Sequence, residues 1–436
     1  MPKKIGNRPP RPDVVDALVL EIHGLIRDQG WLADRALEVV LRRDRKLWAN
    51  ERRAVAEAVY GLVRWQAQLE FLLGRKPTLA ERYAAWLVRF TGAIPEDAAR
   101  RLAVARGALA GLEGGDARIA AIADPVERLA IEASLPRWIA ERFARELGQE
   151  EARALALSMN ERAPLTVRTN LLGGDRDALR ARLAEEGMQS EPTRYSPWGL
   201  VLDGHQNAFS LPSFRDGRFE IQDEGSQLIA LACGARPGWT VVDACAGAGG
   251  KALALAMEMH NKGSLHALDT DEGRLEEAKR RARRDHVHNL RCRVIGPGPE
   301  AEEQLADLAG KARVVLVDAP CSGLGTLRRK PDARWRLAPG DPEKFSLVQR
   351  TLVARFSKLL APGGRLVYAT CAIGRTENDD VADFAARELP LDPAPLAPLL
   401  GEERALALGA DGNRLRLLPH RHGTDGFFVA AFTRRA

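Results

Sequence analysis

The sequence predicts a multi-domain protein with an all-α N-terminal bundle, a small α+β connector and a C-terminal α/β domain of the doubly wound, Rossmann-like kind. Three observations predict it. Apolar residues recur at three-to-four spacing early in the chain, β-branched alternation begins near Pro164, and from about Trp239 short Val/Leu/Ile runs alternate with helical stretches. The 436 residues suit two or three domains at roughly 100–200 residues each, and the texture changes place them at 1–130, 131–235 and 236–436.

Val14, Val15, Leu18, Ile22, Leu25 and Ile26 form one buried helical stripe, and Val55, Val59, Leu62, Val63, Leu69 and Leu73 repeat it after the polar segment around Asn50. Ala33–Arg43 keeps the same period between them, and Pro77, Pro95 and Gly114-Gly115 punctuate the remainder of the N-terminal domain. The connector reads as a helical stretch from Leu135 to about Met159, a strand in PLTVRTNLL, a helix from Asp177 to Gly187 and a strand in WGLVLDG (Trp198 to Gly204). TVVDAC, SLHALD, LRCRVI, RVVLVDAP and GRLVYATC then read as strands of a parallel sheet, with ligands expected beyond their carboxyl ends.

With 45% hydrophobic and 28% charged residues, disorder, collagen-like repeats and a disulfide scaffold fit poorly, and no low-complexity segment is found beyond the first ten residues. No run approaches the roughly 18 apolar residues that span a bilayer, and MPKKIGNRPP lacks the apolar stretch of a signal peptide, so a cytoplasmic protein without a membrane partner is expected. The five cysteines contain no C-x-x-C pair, which speaks against structural zinc and disulfides and leaves free thiols. His286 with His288, and His420 with His422, lack the further ligands a metal needs; no metal is expected. The net charge of +6 favours an anionic partner weakly. Basic clusters at Arg42, Arg43, Arg45 and Lys46, at Arg280, Arg281, Arg283 and Arg284, and at Arg328, Arg329 and Lys330 each read singly as solvated faces and together point to nucleic acid.

The first strand of the C-terminal domain runs into Asp243-Ala244-Cys245-Ala246-Gly247-Ala248-Gly249-Gly250-Lys251, a glycine-rich turn whose N–H groups can approach a ligand at the next helix. It is not a P-loop, because Cys245 and Ala252 stand where glycine and Ser/Thr belong, and Ala252 also breaks a dinucleotide fingerprint. The remaining reading is a nucleoside cofactor without a pyrophosphate, S-adenosylmethionine foremost. Asp269, at the end of the second strand, is placed to accept hydrogen bonds from ribose hydroxyls, although Asp269 or Asp271 would also cap the next helix. Val317–Gly325 and Tyr368–Cys371 bring Cys321 and Cys371 to the same carboxyl edge, each just past an apolar strand.

DACAGAGGK, DAPCSG with the downstream RRKPDARW, LLAPGGRLVYATC, ENDD and DGFF resemble, in order and spacing, the Nop/Sun family of RNA cytosine-5 methyltransferases. VRTN and GRFEIQDEGSQL extend the resemblance into the connector, and ADRALEVVLRR and AVYGLVRW are similar to the NusB-like RNA-binding domain of the branch that modifies small-subunit rRNA. The resemblance implies an S-adenosylmethionine-dependent enzyme, acting as a monomer on RNA, with rRNA the substrate. It implies that Cys371 attacks carbon 6 of cytosine, that Asp318 bonds the pyrimidine edge and supports protonation at ring nitrogen 3, and that Cys321 assists loss of the carbon 5 proton and product release. Lys251 is expected to touch cofactor and base; Cys245, Ala246, Gly247, Ala248, Gly249, Gly250, Asp269, Arg274 and Asp318 are expected at the cofactor. Three departures stand out: Gly247-Ala248 replaces the usual Ala-Pro, Ile295-Gly296-Pro297-Gly298 lacks the family's adenine-contacting Asp, and Ala372 replaces a serine. The alternatives are a non-catalytic RNA-binding ribosome-assembly factor and a tRNA cytosine-5 methyltransferase.

Overall fold

The structure is a computed structural model that describes residues 9–436 apart from 45, 75 and 204–206, with only the backbone of 106. Arg45 of the first basic cluster, the basic N-terminal octapeptide and the end of the WGLVLDG strand lie outside the described residues. The chain divides into two compact units, one reaching Glu161 and including Leu327–Pro339, the other holding Arg162–Thr326 and Gly340–Ala436. No helix among the described residues is long and apolar enough to cross a membrane.

The first unit is helical. Pro12–Gln29, Ala33–Arg43, Ala49–Arg64, Gln66–Leu73 and Leu79–Thr91 are its main helices, and Val15, Leu18, Val19, Ile22, Val55, Val59, Leu62, Leu69 and Tyr83 form its core. Gly61 is required there because a Cβ would run into the Trp86 indole. Arg137–Leu147 and Gln149–Ser158 fall within this compact unit. One buried cation links several of its segments. Arg334 is 0% exposed, and its Nη1 donates to the carbonyls of Ser134 at 3.1 Å and, more loosely, of Arg64 and Ala133, and to Asn160 Oδ1 at 2.9 Å. Those carbonyls sit at helix C-termini, where the partial negative charge stabilises a cation. Burial pulls the pKa down to about 9, so the guanidinium stays charged at neutral pH. Trp335 Nε1 adds a hydrogen bond to the Val63 carbonyl at 2.7 Å, holding Leu327–Pro339 in the helical unit.

The second unit has two sheets. The smaller is antiparallel with order β2-β3-β1-β4, from β1 (Leu165–Thr169), β2 (Gln189–Pro192), β3 (Gly199–Asp203) and β4 (Phe219–Ile221). The larger contains β5 (Thr240–Asp243), β6 (Ser264–Asp269), β7 (Leu290–Val294), β8 (Ala312–Asp318), β9 (Leu360–Thr370), β10 (Leu391–Pro393), β11 (Arg414–Leu417) and β12 (Phe427–Arg434). Its order is β10-β12-β9-β8-β5-β6-β7, with β11 on β12. The five strands read from sequence are all present and mutually parallel where they pair, but β10, β11 and β12 are joined antiparallel. The expected parallel sheet is therefore mixed. Phe428, Val429, Ala430, Ala431 and Phe432 are all buried, so β12 is covered on both faces and shows none of the alternation that marks an antiparallel strand.

The basic clusters are largely occupied. Arg42 and Arg43 pair with Glu38 and Glu21, Arg280 pairs with Glu277, and Arg281 and Arg284 converge on Glu220, which is 4% exposed. Arg328 is buried. The Glu220 pair cannot turn outward to a phosphate without stranding a buried carboxylate.

Replacing Arg334 by Ala should destabilise the helical unit by roughly 2–4 kcal/mol, because the carbonyls it serves lose their donor inside a cavity. Arg334→Lys should restore only part of it, since the shorter, more strongly hydrated ammonium is costlier to bury than the guanidinium. Urea unfolding followed by tryptophan fluorescence measures both; a wild-type midpoint for either variant contradicts this account.

Candidate active site

The site is built on the carboxyl edge of β5, β6, β8 and β9. Asp318 ends β8 opposite Ala369 of β9, which places the turns carrying Cys321 and Cys371 side by side. Their sulfurs stand 3.2 Å apart as free thiols, a hydrogen-bond contact, and the Cys371 amide also points at Cys321 Sγ at 3.3 Å. The bond to Cys371 and burial push the Cys321 thiol well above its ordinary pKa. Cys321 thus holds its proton, which it can present to the other sulfur.

Backbone and buried side chains fix this geometry. The Gly325 N–H donates to the Cys371 carbonyl at 2.8 Å, and the Gly426 N–H donates to the Gly325 carbonyl at 2.8 Å. A side chain at Gly325 would collide with the Gly426 carbonyl. Glu377, 1% exposed, accepts from Ser322 N at 2.8 Å, Ser322 Oγ at 2.6 Å and Gln349 Nε2 at 3.2 Å, while Gln349 Nε2 also reaches the Pro320 carbonyl. On the other turn Thr370 Oγ1 donates to Asn378 Oδ1 at 2.6 Å and Asn378 Nδ2 donates to the Ala372 carbonyl. The Ala372 N–H closes on Thr370 Oγ1, so a serine hydroxyl is not needed to lock the turn.

Lys251 Nζ lies 2.6 Å from Asp318 Oδ2 and over the ring of Phe427. Burial works against its charge, but Asp318 more than offsets this and the pKa is raised. Behind the pair stands Asp243, 1% exposed; the Cys245 amide favours its ionised form without a well-formed hydrogen bond to either oxygen. Burial, then Asp318, push its pKa up to about 7 against the pull of Lys251. Burial and Asp243 likewise hold the Cys245 thiol well above its usual range, so Cys245 is no nucleophile.

A cavity of about 480 Å³ opens beside this pair. Of the residues expected at the cofactor, Cys245, Ala246, Gly247, Asp269, Arg274 and Asp318 line it; Ala248, Gly249, Gly250 and Lys251 do not. Gly247 has φ +52°, a left-handed conformation, which accounts for glycine where the family has alanine; its N–H donates to Asp269 Oδ2 at 2.8 Å. Gly249 serves packing, since a Cβ would stand 2.8 Å from that of Ala278. The carbonyls of Ala248 and Gly250 accept from Arg281 Nη1 at 2.7 Å and from the buried Arg168 Nη1 at 2.8 Å, so the connector braces the turn from behind. The cap of the helix Glu272–Arg284 is Asp271, which leaves Asp269 facing the cavity. Ile295, Pro297, Val348 and Leu352 supply an apolar wall. A carboxylate at one end and apolar walls fit a nucleoside cofactor in which a planar base and a ribose lie side by side.

Glu377, Asn378, Gln349 and Arg168 were not singled out as site residues from sequence. ENDD and VRTN contain three of them, but a buried acceptor for a neighbouring turn leaves no local spacing to read.

Comparisons with known proteins agree with this architecture. Residues 230–433 match the family described as 16S rRNA methyltransferase RsmB/F, and 135–208 match the ferredoxin-like domain of the same proteins. The chain is 31% identical over 424 residues, 90% of this chain and 93% of the relative, to the protein of Bacillus subtilis named Probable ribosomal RNA small subunit methyltransferase B. It is 35% identical over 309 residues, 70% of each chain, to the Ribosomal RNA small subunit methyltransferase B of Xylella fastidiosa. A solved structure of a methyltransferase homolog protein from Pyrococcus horikoshii, 28% identical, matches 72% of this chain and all of that one with a TM-score of 0.59.

The buried carboxyl of Asp243 carries a pH signature. Unfolded, it ionises near 3.8; folded, it keeps its proton to about 7, so its contribution to stability is lost as pH rises across that interval. Asp243→Asn should flatten the pH dependence there and gain stability over the wild type at about pH 8 relative to about pH 5. Parallel urea curves at the two pH values test it, and an unchanged difference between the proteins contradicts it.

Strand order, the glycine turn, the paired thiols and these matches converge, and the chain belongs to the RsmB/F (Nop/Sun) family of small-subunit rRNA methyltransferases.

Proposed function

We propose that this protein methylates carbon 5 of a cytosine in small-subunit rRNA, with S-adenosylmethionine as donor, through a covalent adduct on Cys371. The observation that carries the reading is the 3.2 Å approach of two free thiols beside the Lys251–Asp318 pair. A protein, small-molecule or purely RNA-binding role has no use for that pair. The similarity to ribosomal RNA small subunit methyltransferases favours rRNA over tRNA.

Bound, the cofactor supplies an electrophilic methyl group. Asp269 would hold its ribose, and Ile295, Pro297, Val348 and Leu352 would pack on its base, apolar packing standing in for the missing Asp contact. Cys371 attacks carbon 6, and the new carbon–sulfur bond turns the ring into an enamine that is nucleophilic at carbon 5. Asp318 receives the pyrimidine edge and supports protonation at nitrogen 3, and Lys251 keeps Asp318 in place. Cys371 gives up its proton as it attacks. After methyl transfer Cys321, its own proton passed to solvent, is a strong base that takes the carbon 5 proton; the electron pair left behind re-forms the ring double bond as the carbon 6–sulfur bond breaks and Cys371 leaves. The target must leave its stack for both faces to be reached, which favours a loop or junction over an intact helix.

The two thiols separate by variant. Cys321→Ala should accumulate a protein–RNA adduct that survives denaturation, and Cys321→Ala with Cys371→Ala should accumulate none. Cys371→Ala alone should abolish methyl transfer while S-adenosylmethionine affinity changes less than about tenfold. A denaturing gel with labelled RNA, together with calorimetry, reads all three. An adduct in Cys371→Ala and none in Cys321→Ala would reverse the assignment.

A further inference from the structure

The helical unit contains a second cavity that the proposed chemistry does not use. It measures about 200 Å³ and is lined by His23, Trp31, Gln66, Asp332, Trp335 and Arg336 among others. We propose that it binds one unstacked base of a single-stranded RNA segment, a base other than the reacting cytosine; the proposal rests on the protein acting on RNA.

Four features argue for such a ligand. Trp31 and Trp335 are half-buried and, among the described residues, neither has an aromatic partner, so π faces are left for a planar ring. His23 is 1% exposed with Nδ1 lacking a hydrogen-bond partner among the described residues, and Gln66, 9% exposed, lines the same cavity. Buried polar atoms are rarely left unsatisfied, and an imidazole nitrogen with a carboxamide can match the mixed donors and acceptors of a base edge. Burial, with Arg82 and Arg27 nearby, keeps His23 neutral by lowering its pKa to about 4, so either nitrogen can accept.

Size narrows the choice further. The volume lies below the roughly 300–1,000 Å³ of ordinary small-molecule pockets, leaving room for a ring but not for a whole nucleotide cofactor. At the rim, Arg27 is held by a part-exposed pair with Glu70 at 3.0 Å, and such a pair exchanges readily for a flanking phosphate. The occupied basic clusters elsewhere make a base-directed contact the better source of affinity in this unit.

The test is fluorescence anisotropy of a short labelled single-stranded RNA on the full chain, across a salt series. Trp31→Ala should weaken binding about tenfold with an unchanged salt slope, because a stacked base and not a phosphate contact is lost. Trp31→Phe should retain most of the affinity, and Gln66→Leu, which keeps the bulk and removes the amide, should weaken binding severalfold. S-adenosylmethionine affinity should stay at the wild-type value in all three. Trp31→Ala, which trims a ring packed on the helical core, should melt somewhat lower, while Trp31→Phe and Gln66→Leu should melt close to wild type. Wild-type RNA affinity in both Trp31→Ala and Gln66→Leu overturns the pocket alone. Loss in Trp31→Ala that Trp31→Phe does not restore, or that comes with a shallower salt slope, also overturns it. A wild-type protein that binds no RNA overturns the functional reading and the pocket with it.

Discussion

The site depends on one backbone constraint: the turns after β8 and β9 and the entry to β12 are tied to each other through Gly325. Its N–H holds the Cys371 carbonyl and its own carbonyl takes the Gly426 N–H. Two thiols fifty residues apart in sequence can stand 3.2 Å apart only because these turns cannot separate. Glu377 and Asn378, adjacent in sequence, then each fix one turn from the buried side. The antiparallel β12 is therefore part of the active site's frame as well as of the sheet.

A second brace supports the cofactor turn. Arg168 and Arg281 donate to the Gly250 and Ala248 carbonyls, and Glu220 balances Arg281 and Arg284 in a nearly dry setting. Burial and the neighbouring Glu220 push Asp285 up to about 8, so this cluster carries fewer negative charges than its sequence suggests. Removing one partner would leave an uncompensated buried charge directly behind the turn. Connector and cofactor site are thus one electrostatic unit.

Much of this was legible in the sequence, and the parts that were not have a physical reason. The five parallel strands announce themselves because they are short apolar runs, and the ligand edge follows from where such strands end. Asp318, Cys321 and Cys371 were findable for that reason, and the structure gathers them with Lys251. Arg334 was not: within RRKPDARW it looks like one more surface cation, and only the carbonyls of residues 133 and 134, two hundred positions away, make it a buried hub. Arg281 and Arg284 were misleading in the same way, since their partner Glu220 lies some sixty residues upstream. Long-range pairing also hid β4, β10 and β11, each only three or four residues long.

The claim that unites these observations is that the paired thiols serve methyl transfer to carbon 5 of cytosine in small-subunit rRNA. Bisulfite sequencing of total RNA from cells with and without the gene addresses it most directly, because a 5-methyl group protects cytosine from conversion. The account predicts a protected cytosine in small-subunit rRNA that becomes convertible when the gene is removed and returns with the wild-type gene but not with Cys371→Ala. Unchanged protection throughout the small-subunit rRNA, or a loss confined to tRNA, would contradict it.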